Sequence, residues 1–515
     1  MSLVRAIATV GGFTLVSRVT GFVRDILIAA LLGAGPVADA FFVAFKLPNF
    51  FRRLTGEGAL TVAFVPMFAG SLEADGRKAA VDFAAEVQAV LLAVLLAFLL
   101  AIELAMPWAM LVLAPGFADD PERFGLAVEL TRITFPYLPL ISLVALWGGI
   151  LNSLDKFWAM AAAPILLNLV LIAALALAAG ALETPGHALA WGVALAGVAQ
   201  ALFLAEVCRR EGVLPRLRRP RLTPEVRRLL KLMLPAALGA GVVQVNLLVD
   251  VMLASLLPAG SVSFLYYADR VVQLPLGVVG VAIGTALLPM LARQVRSGSE
   301  TEAANTQNRA IEMGLLLTLP AAAALAVIAD PLTAVLFERG KFGAADGNAT
   351  AAAMAAFAAG LPAFVLIKAF QPGFFARRDT ATPVKVAVVG VLANLAFNLV
   401  LMPLFAHVGI ALATTLAAWL NAGLLAWLLA RRGHLRVDAR LRARAPRIVG
   451  AAAVMAAAVA AAAHGLEPWL TAGSAEGAAA LAAVVAVGLV VYAGVGTLLG
   501  AAAPAELKAA LRRRG

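Results

Sequence analysis

One cysteine, Cys208, occurs in the whole chain, so no internal disulfide forms and no thiolate metal cluster is available. Histidine is nearly as scarce. His187, His407, His434 and His464 lie scattered near the ends of apolar segments, and none has the spacing of a zinc site or of a nucleophile–base pair. Charged residues make up only 14% of the chain against 62% hydrophobic, and mean hydropathy is +0.93. That excludes an ordinary soluble globular protein. No nucleotide-binding motif is present, so ATP does not drive the protein directly. Nor is any connector long enough for an extramembrane domain: the longest, 208–227 and 431–447, are basic loops that read as topology determinants and contacts for membrane lipid headgroups. Acidic residues are outnumbered 30 to 41, a net charge of +11. In a soluble protein this would suggest nucleic acid. Here the excess sits in short connectors, the topology signal of a membrane protein, and no nucleic-acid partner is expected.

What the chain does have is long apolar runs. They fall near 3–32, 37–70, 81–113, 127–152, 158–182, 187–207, 228–256, 262–292, 309–329, 347–375, 382–405, 408–430, 446–466 and 477–500, which predicts about fourteen transmembrane helices. Their length is helical, not that of ten-residue barrel strands, so the fold class is an all-α polytopic membrane protein. The first run is too long and too charged for a signal peptide and reads as a retained helix. The connectors alternate between a basic set (Arg77/Lys78, Lys156, Arg209 to Lys231, Arg293/Arg296, Arg377/Arg378, Arg431 to Arg447, Lys508 with Arg512–Arg514) and a less basic one (Gly33–Pro36, Asp119/Asp120/Glu122 with Arg123, Glu183, Pro258–Ser261, Asp330 with Glu338/Arg339/Lys341, His407, Glu467/Glu476). The positive-inside rule then places both termini in the cytoplasm.

An internal repeat divides the chain. Leu31-Leu-Gly-Ala-Gly35 resembles Leu256-Leu-Pro-Ala-Gly260, and Ala63-Phe-Val-Pro-Met67 resembles Ala286-Leu-Leu-Pro-Met290. An even number of spans separates each pair, so the repeats are parallel. The expected organisation is an N-lobe of six helices at 1–212, a pseudo-symmetric C-lobe of six at 213–432, and two further helices with a C-terminal tail at 433–515.

Charges inside apolar runs mark the functional site. Each costs roughly 2.5–3.5 kcal/mol at the bilayer centre, so such groups face a cavity or a partner. The first run carries Arg18, Arg24 and Asp25, with Gly21 between them as a point where the helix is expected to unwind. The second carries Asp39 and Lys46, then Arg52, Arg53 and Glu57 near Pro48, Gly56 and Gly58, where an interruption is expected. The eighth carries Asp269 and Arg270. Snorkelling, or a structural Asp269–Arg270 pair, is the competing account. Converging arginines suit an anion with several oxygens, such as phosphate or pyrophosphate, because guanidinium stays charged and offers paired donors.

The stretches Ser17-Arg-Val-Thr-Gly-Phe-Val-Arg-Asp25, Asp39-Ala-Phe-Phe-Val-Ala-Phe-Lys-Leu-Pro-Asn49, Arg52-Arg53 with Glu57-Gly-Ala, Ala114-Pro-Gly-Phe-Ala118, Tyr266-Tyr-Ala-Asp-Arg270 and Thr382-Pro-Val-Lys385 resemble the MurJ (MviN) lipid II flippases of bacterial cell-wall synthesis. The resemblance runs from Met1 to about Arg432. It implies the fold of the multidrug/oligosaccharidyl-lipid/polysaccharide exporter superfamily and a transporter, not an enzyme. The implied substrate is lipid II, the undecaprenyl-pyrophosphate-linked disaccharide-pentapeptide, moved from the cytoplasmic to the periplasmic leaflet by alternating access. Arg18, Arg24 and Arg270 match the family's essential cavity arginines, and Asp39 and Arg52 match important positions. The last two helices would hold the polyprenyl tail, and cell-wall synthesis machinery would be a partner. An exporter of another undecaprenyl-pyrophosphate-linked glycan is the alternative.

A second polar set lies apart from the arginines. Asp250, Asn394, Asn398 and Thr414, with the carbonyl of Ile410, are hard oxygen donors. Two readings stand: a sodium site, which the resemblance favours, and polar packing between helices.

Overall fold

The computed structural model describes residues 3–53 and 60–501. Among these the regular secondary structure is helical, apart from an isolated bridge between Arg339 and Phe342. In order the helices are α1 (Leu3–Leu32), α2 (Pro36–Arg52), α3 (Thr61–Ala74), α4 (Gly76–Leu104), α5 (Met106–Leu113), α6 (Pro121–Thr134), α7 (Tyr137–Ser153), α8 (Phe157–Ala178), α9 (Pro185–Arg210), α10 (Pro224–Ser255), α11 (Ser261–Arg296), α12 (Glu300–Val327), α13 (Ala329–Phe337), α14 (Ala344–Ala358), α15 (Leu361–Phe375), α16 (Ala381–Arg431), α17 (Ala439–Gly465) and α18 (Ala475–Leu498). Several of the expected spans appear as two helices in tandem, among them α4 with α5, α6 with α7, and α14 with α15. Conversely, α16 contains two spans, and its helical backbone breaks at Ala406 (φ 49°, ψ −129°), at the predicted junction between 405 and 408.

Helix starts follow local chemistry. Proline occupies the first turn of α6, α9 and α10, where its missing N–H costs nothing, and Asp120, Thr184 and Thr223 accept from the backbone N–H three residues on. Nine spans among the described residues are long and apolar enough to cross a membrane. The expected spans outside that set are α1, α2 with α3, α10 and α11, and these carry Arg18, Arg24, Asp39, Asp250, Asp269 and Arg270.

By packing, the chain forms two units, Met1–Ser263 and Phe264–Gly515. In the first, α7 is buried along most of its length, with α1 against α8, α8 against α9 and α2 against α6. Here α10 packs on α3, α4 and α5. In the second unit α12 packs on α15 and α17, and α17 on α18. Glu312 of α12 is buried and bonds Arg309, Arg440 and Arg444, which ties the start of α17 to α12. Tyr492 Oη donates to the Leu316 carbonyl at 2.7 Å and fastens α18 to the same helix.

Candidate functional site

On α1 the first arginine cluster is built around one buried amide. Arg24, 7% exposed, donates to Asp25 Oδ1 at 2.9 Å and 2.6 Å and to Asn168 Oδ1 of α8 at 2.9 Å. Asn168 Nδ2 in turn donates to the Ser17 carbonyl at 2.9 Å and to Thr20 Oγ1 at 3.2 Å. A buried ion pair holds only when its remaining donors are satisfied, and Asn168 meets that need for Arg24. The expected unwinding at Gly21 does not occur: α1 runs unbroken through it. A Cβ on Gly21 would lie 3.3 Å from Asn168 Nδ2, so this glycine makes room for the amide rather than for a bend. Arg18 differs from Arg24. It is half-buried and makes no hydrogen bond or ion pair among the described residues, which leaves its donors available to a ligand.

Asp39 is a well-satisfied buried carboxylate. It is fully buried. Oδ2 accepts from Arg123 at 2.5 Å and from the Gly260 N–H at 2.7 Å, and Oδ1 accepts from the Ser263 N–H at 2.9 Å and its hydroxyl at 2.6 Å. A carboxylate at the first turn of α11 meets the positive end of that helix. Arg123 stacks on Phe117, 3.8 Å from the ring centroid. The same corner explains Ala114-Pro-Gly-Phe-Ala118. Gly116 N donates to Ser255 Oγ at 3.2 Å, and a Cβ at Gly116 would lie 2.2 Å from the Ser255 carbonyl oxygen. Only glycine lets this turn approach the end of α10.

Lys46 is half-buried on α2; Arg52 Nε donates to Asn49 Oδ1 at 3.2 Å, and Arg53 caps the helix. Glu57 lies outside the described residues, as do Gly56 and Gly58. In the second unit, Asp269 accepts from Gln273 of its own helix, and the Arg270 guanidinium lies over the Tyr266 ring, 4.6 Å from its centroid, a cation–π contact that orients it.

The second polar set is divided. Asp250 is half-buried on α10 of the first unit. Asn394, Asn398 and Thr414 come together across the hairpin of α16: Asn398 donates to Asn394 Oδ1 at 2.5 Å, and Asn394 donates to Thr414 Oγ1 at 3.2 Å. Asn398 Oδ1 is buried and has no hydrogen-bond partner among the described residues, and Ile410 is buried nearby in sequence on the second half of α16.

Asn168, Arg123 and Ser263 do not figure among the candidates read from sequence. Asn168 had a signal, as the one polar side chain in α8. Arg123 sits among acidic loop residues and read as part of an exposed connector.

The family model described as lipid II flippase MurJ matches residues 28–477. A probable lipid II flippase MurJ of Rhizobium meliloti (strain 1021) is 50% identical over 463 residues, covering 89% of this chain and 86% of that protein. The lipid II flippase MurJ of Burkholderia cenocepacia is 38% identical over 460 residues, covering 88% and 89%. Among solved structures, a lipid II flippase MurJ in an inward closed conformation matches with TM-score 0.79 at 22% identity, over 95% of this chain and 98% of that one. An inward-facing multidrug resistance MATE transporter of the MOP superfamily matches with TM-score 0.65 at 16% identity, over 81% and 94%. The fold is therefore the all-α, multi-span architecture of that superfamily, and the chain belongs to the lipid II flippase MurJ family.

Proposed function

We propose that this protein is a flippase that moves lipid II from the cytoplasmic to the periplasmic leaflet by alternating access. The observation that carries this is the similarity to lipid II flippases along nearly the whole chain. It is a transporter and makes or breaks no covalent bond. Arg18, Arg24 and Arg270 serve the pyrophosphate, with Asp39, Lys46, Arg52, Arg53, Glu57, Asp25 and Asp269 as supporting charges. The available donors of Arg18 and the preset orientation of Arg24 favour this assignment. The polyprenyl tail stays in lipid against α17 and α18. Both termini lie in the cytoplasm, as the charge of the connectors indicates, and the cell-wall synthesis machinery is the natural protein partner.

A sodium ion is part of the proposal. Asn394, Asn398, Thr414 and the Ile410 carbonyl offer neutral oxygens, and the buried, unpartnered Oδ1 of Asn398 fits a hard monovalent cation. Asp250 is the carboxylate that the sequence assigns to it. When bound, the ion would supply charge compensation and rigidity. The test of the flippase function is depletion of the protein in cells, followed by measuring which leaflet accumulates lipid II. Accumulation in the cytoplasmic leaflet is the expected result, and an unchanged distribution overturns it.

A further inference from the structure

We propose that Glu129, Glu183 and His187 form a divalent-metal site with zinc-type ligand chemistry at the end of the first unit where α6 meets the start of α9. Their ligand atoms all lie within 4.8 Å of one another. His187 is 5% exposed, and its Nε2 is buried with no hydrogen-bond partner among the described residues. That nitrogen faces two carboxylates: Glu129 Oε1 at 3.3 Å and Glu183 Oε2 at 4.0 Å. A buried imidazole nitrogen left unsatisfied costs stability, so its orientation toward two acceptor-only groups calls for a cation between them.

The other ring nitrogen supports this. His187 Nδ1 lies 2.9 Å from Thr184 Oγ1, the residue that caps α9. With the proton on Nδ1 and donated to that hydroxyl, the Nε2 lone pair is free to ligate. A hydrogen bond on the far nitrogen is how proteins fix the tautomer of a metal-bound histidine. The spacing also fits. Bonds of about 2.0–2.1 Å in a tetrahedral zinc site put ligand atoms about 3.3–3.4 Å apart, which is the separation of His187 Nε2 and Glu129 Oε1. The Glu183 side chain is 80% exposed, so closing its longer gap needs only a rotamer change at the surface. One imidazole with two carboxylates suits zinc or manganese better than magnesium, which avoids nitrogen ligands. The fourth position would be water. The bound ion would staple α6, the loop before α9 and the first turn of α9.

The test uses the full chain, purified without a histidine tag and stripped with chelator. Zinc chloride is titrated by calorimetry and by thermal melting. One saturable site and a higher melting temperature are expected. Glu183→Gln, at an exposed position, should melt like the parent in chelator yet lose more zinc affinity than the roughly 10–100-fold typical of an outer-shell change. Thr184→Val should fall within that 10–100-fold range, and His187→Gln should abolish the site. No saturable binding overturns the proposal, as does zinc affinity unchanged in both Glu183→Gln and His187→Gln. A melting temperature that does not respond to zinc also overturns it.

Discussion

Arg123 reaches across from α6 to place its guanidinium 2.5 Å from Asp39 of α2, and both side chains are shut away from solvent. Removing one member of such a pair leaves the other buried with its charge unmatched, which costs about 3–5 kcal/mol. Asp39→Asn and Arg123→Gln should therefore each lower the melting temperature of the purified protein clearly. The double variant should be less damaged than the two losses summed, because neither charge is then stranded. Strict additivity in that cycle would show that the pair does not couple.

The arginines of the proposed substrate site should separate in their effect on folding. Arg18→Ala removes a half-buried side chain with no bonded partner among the described residues, so membrane level should stay near normal while complementation is lost. Arg24→Ala takes the guanidinium from beside Asp25 and Asn168 and should lower both abundance and complementation. Asn168→Leu should reproduce the abundance loss of Arg24→Ala in part, as a lost hydrogen bond to a charged group is worth about 1.5–3 kcal/mol. Lysine at Arg18 should rescue poorly, for want of paired donors. Normal growth of the alanine variants at Arg18, Arg24 and Arg270 would rule out the anion site.

Much of this fold was legible in the sequence because hydrophobic runs of spanning length admit few alternatives in lipid. The break in α16 falls at the junction between two predicted runs, and the breaks between the paired helices fall inside single ones. The details of the site were less legible, since they depend on partners far apart in the chain. Gly21 reads as a hinge until Asn168, 147 positions on, is seen filling the space beside it. Arg123 reads as a surface charge until Asp39 is found behind it. A lone amide in an apolar span, like Asn168, is itself a signal. An unpartnered amide in lipid is expensive, so it marks a neighbour in need of a donor or acceptor.

Gly116→Ala should destabilise the corner where the loop after α5 meets α10. The added Cβ would lie 2.2 Å from the Ser255 carbonyl oxygen and 2.5 Å from Leu256 Cα, both backbone positions that cannot rotate aside. Overpacking of this kind costs about 1–3 kcal/mol. A melting temperature equal to that of the parent would show that the turn relaxes freely.

Labelling tests the topology. Cys208 is buried, so the native background should stay silent toward an impermeant thiol reagent. Gly260 is a poor reporter site: its φ is +96° and its N–H serves Asp39. Cysteine at the exposed positions Ala259 and Ala472 should react from outside, and cysteine at Ser297 and Val437 should not. External labelling at Ser297 would overturn both the span count and the placement of the termini.

Acid should loosen the base of the α16 hairpin. Burial works against the charge of Asp379, but hydrogen bonds from Thr382 and the Arg432 guanidinium outweigh it and hold this carboxyl down to about 2 from its ordinary 3.8. A depressed carboxyl contributes stability above its unfolded value and loses it as pH falls through its folded one. The parent should therefore lose stability between about pH 4 and pH 2, and Asp379→Asn should lose less over that window. Identical acid profiles would assign the loss to other carboxylates.

Sodium gives the last test. Asn398 donates to Asn394, and Asn394 donates to Thr414, so the amide hydrogens of this chain of contacts point one way along it. At its end the Asn398 Oδ1 is buried without a donor among the described residues. A hard cation satisfies such an oxygen, whereas polar packing alone leaves it unmet at a cost of about 1–3 kcal/mol. Sodium should accordingly raise the melting temperature of the purified protein above its value in potassium, because the larger ion fits a fixed set of oxygens less well. Asn398→Leu should remove the difference between the salts and, by deleting the unsatisfied oxygen, soften its own packing cost. Asp250→Ala should also remove the difference if that carboxylate supplies the charge. Equal melting of the parent in both salts would leave polar packing as the account of all four side chains.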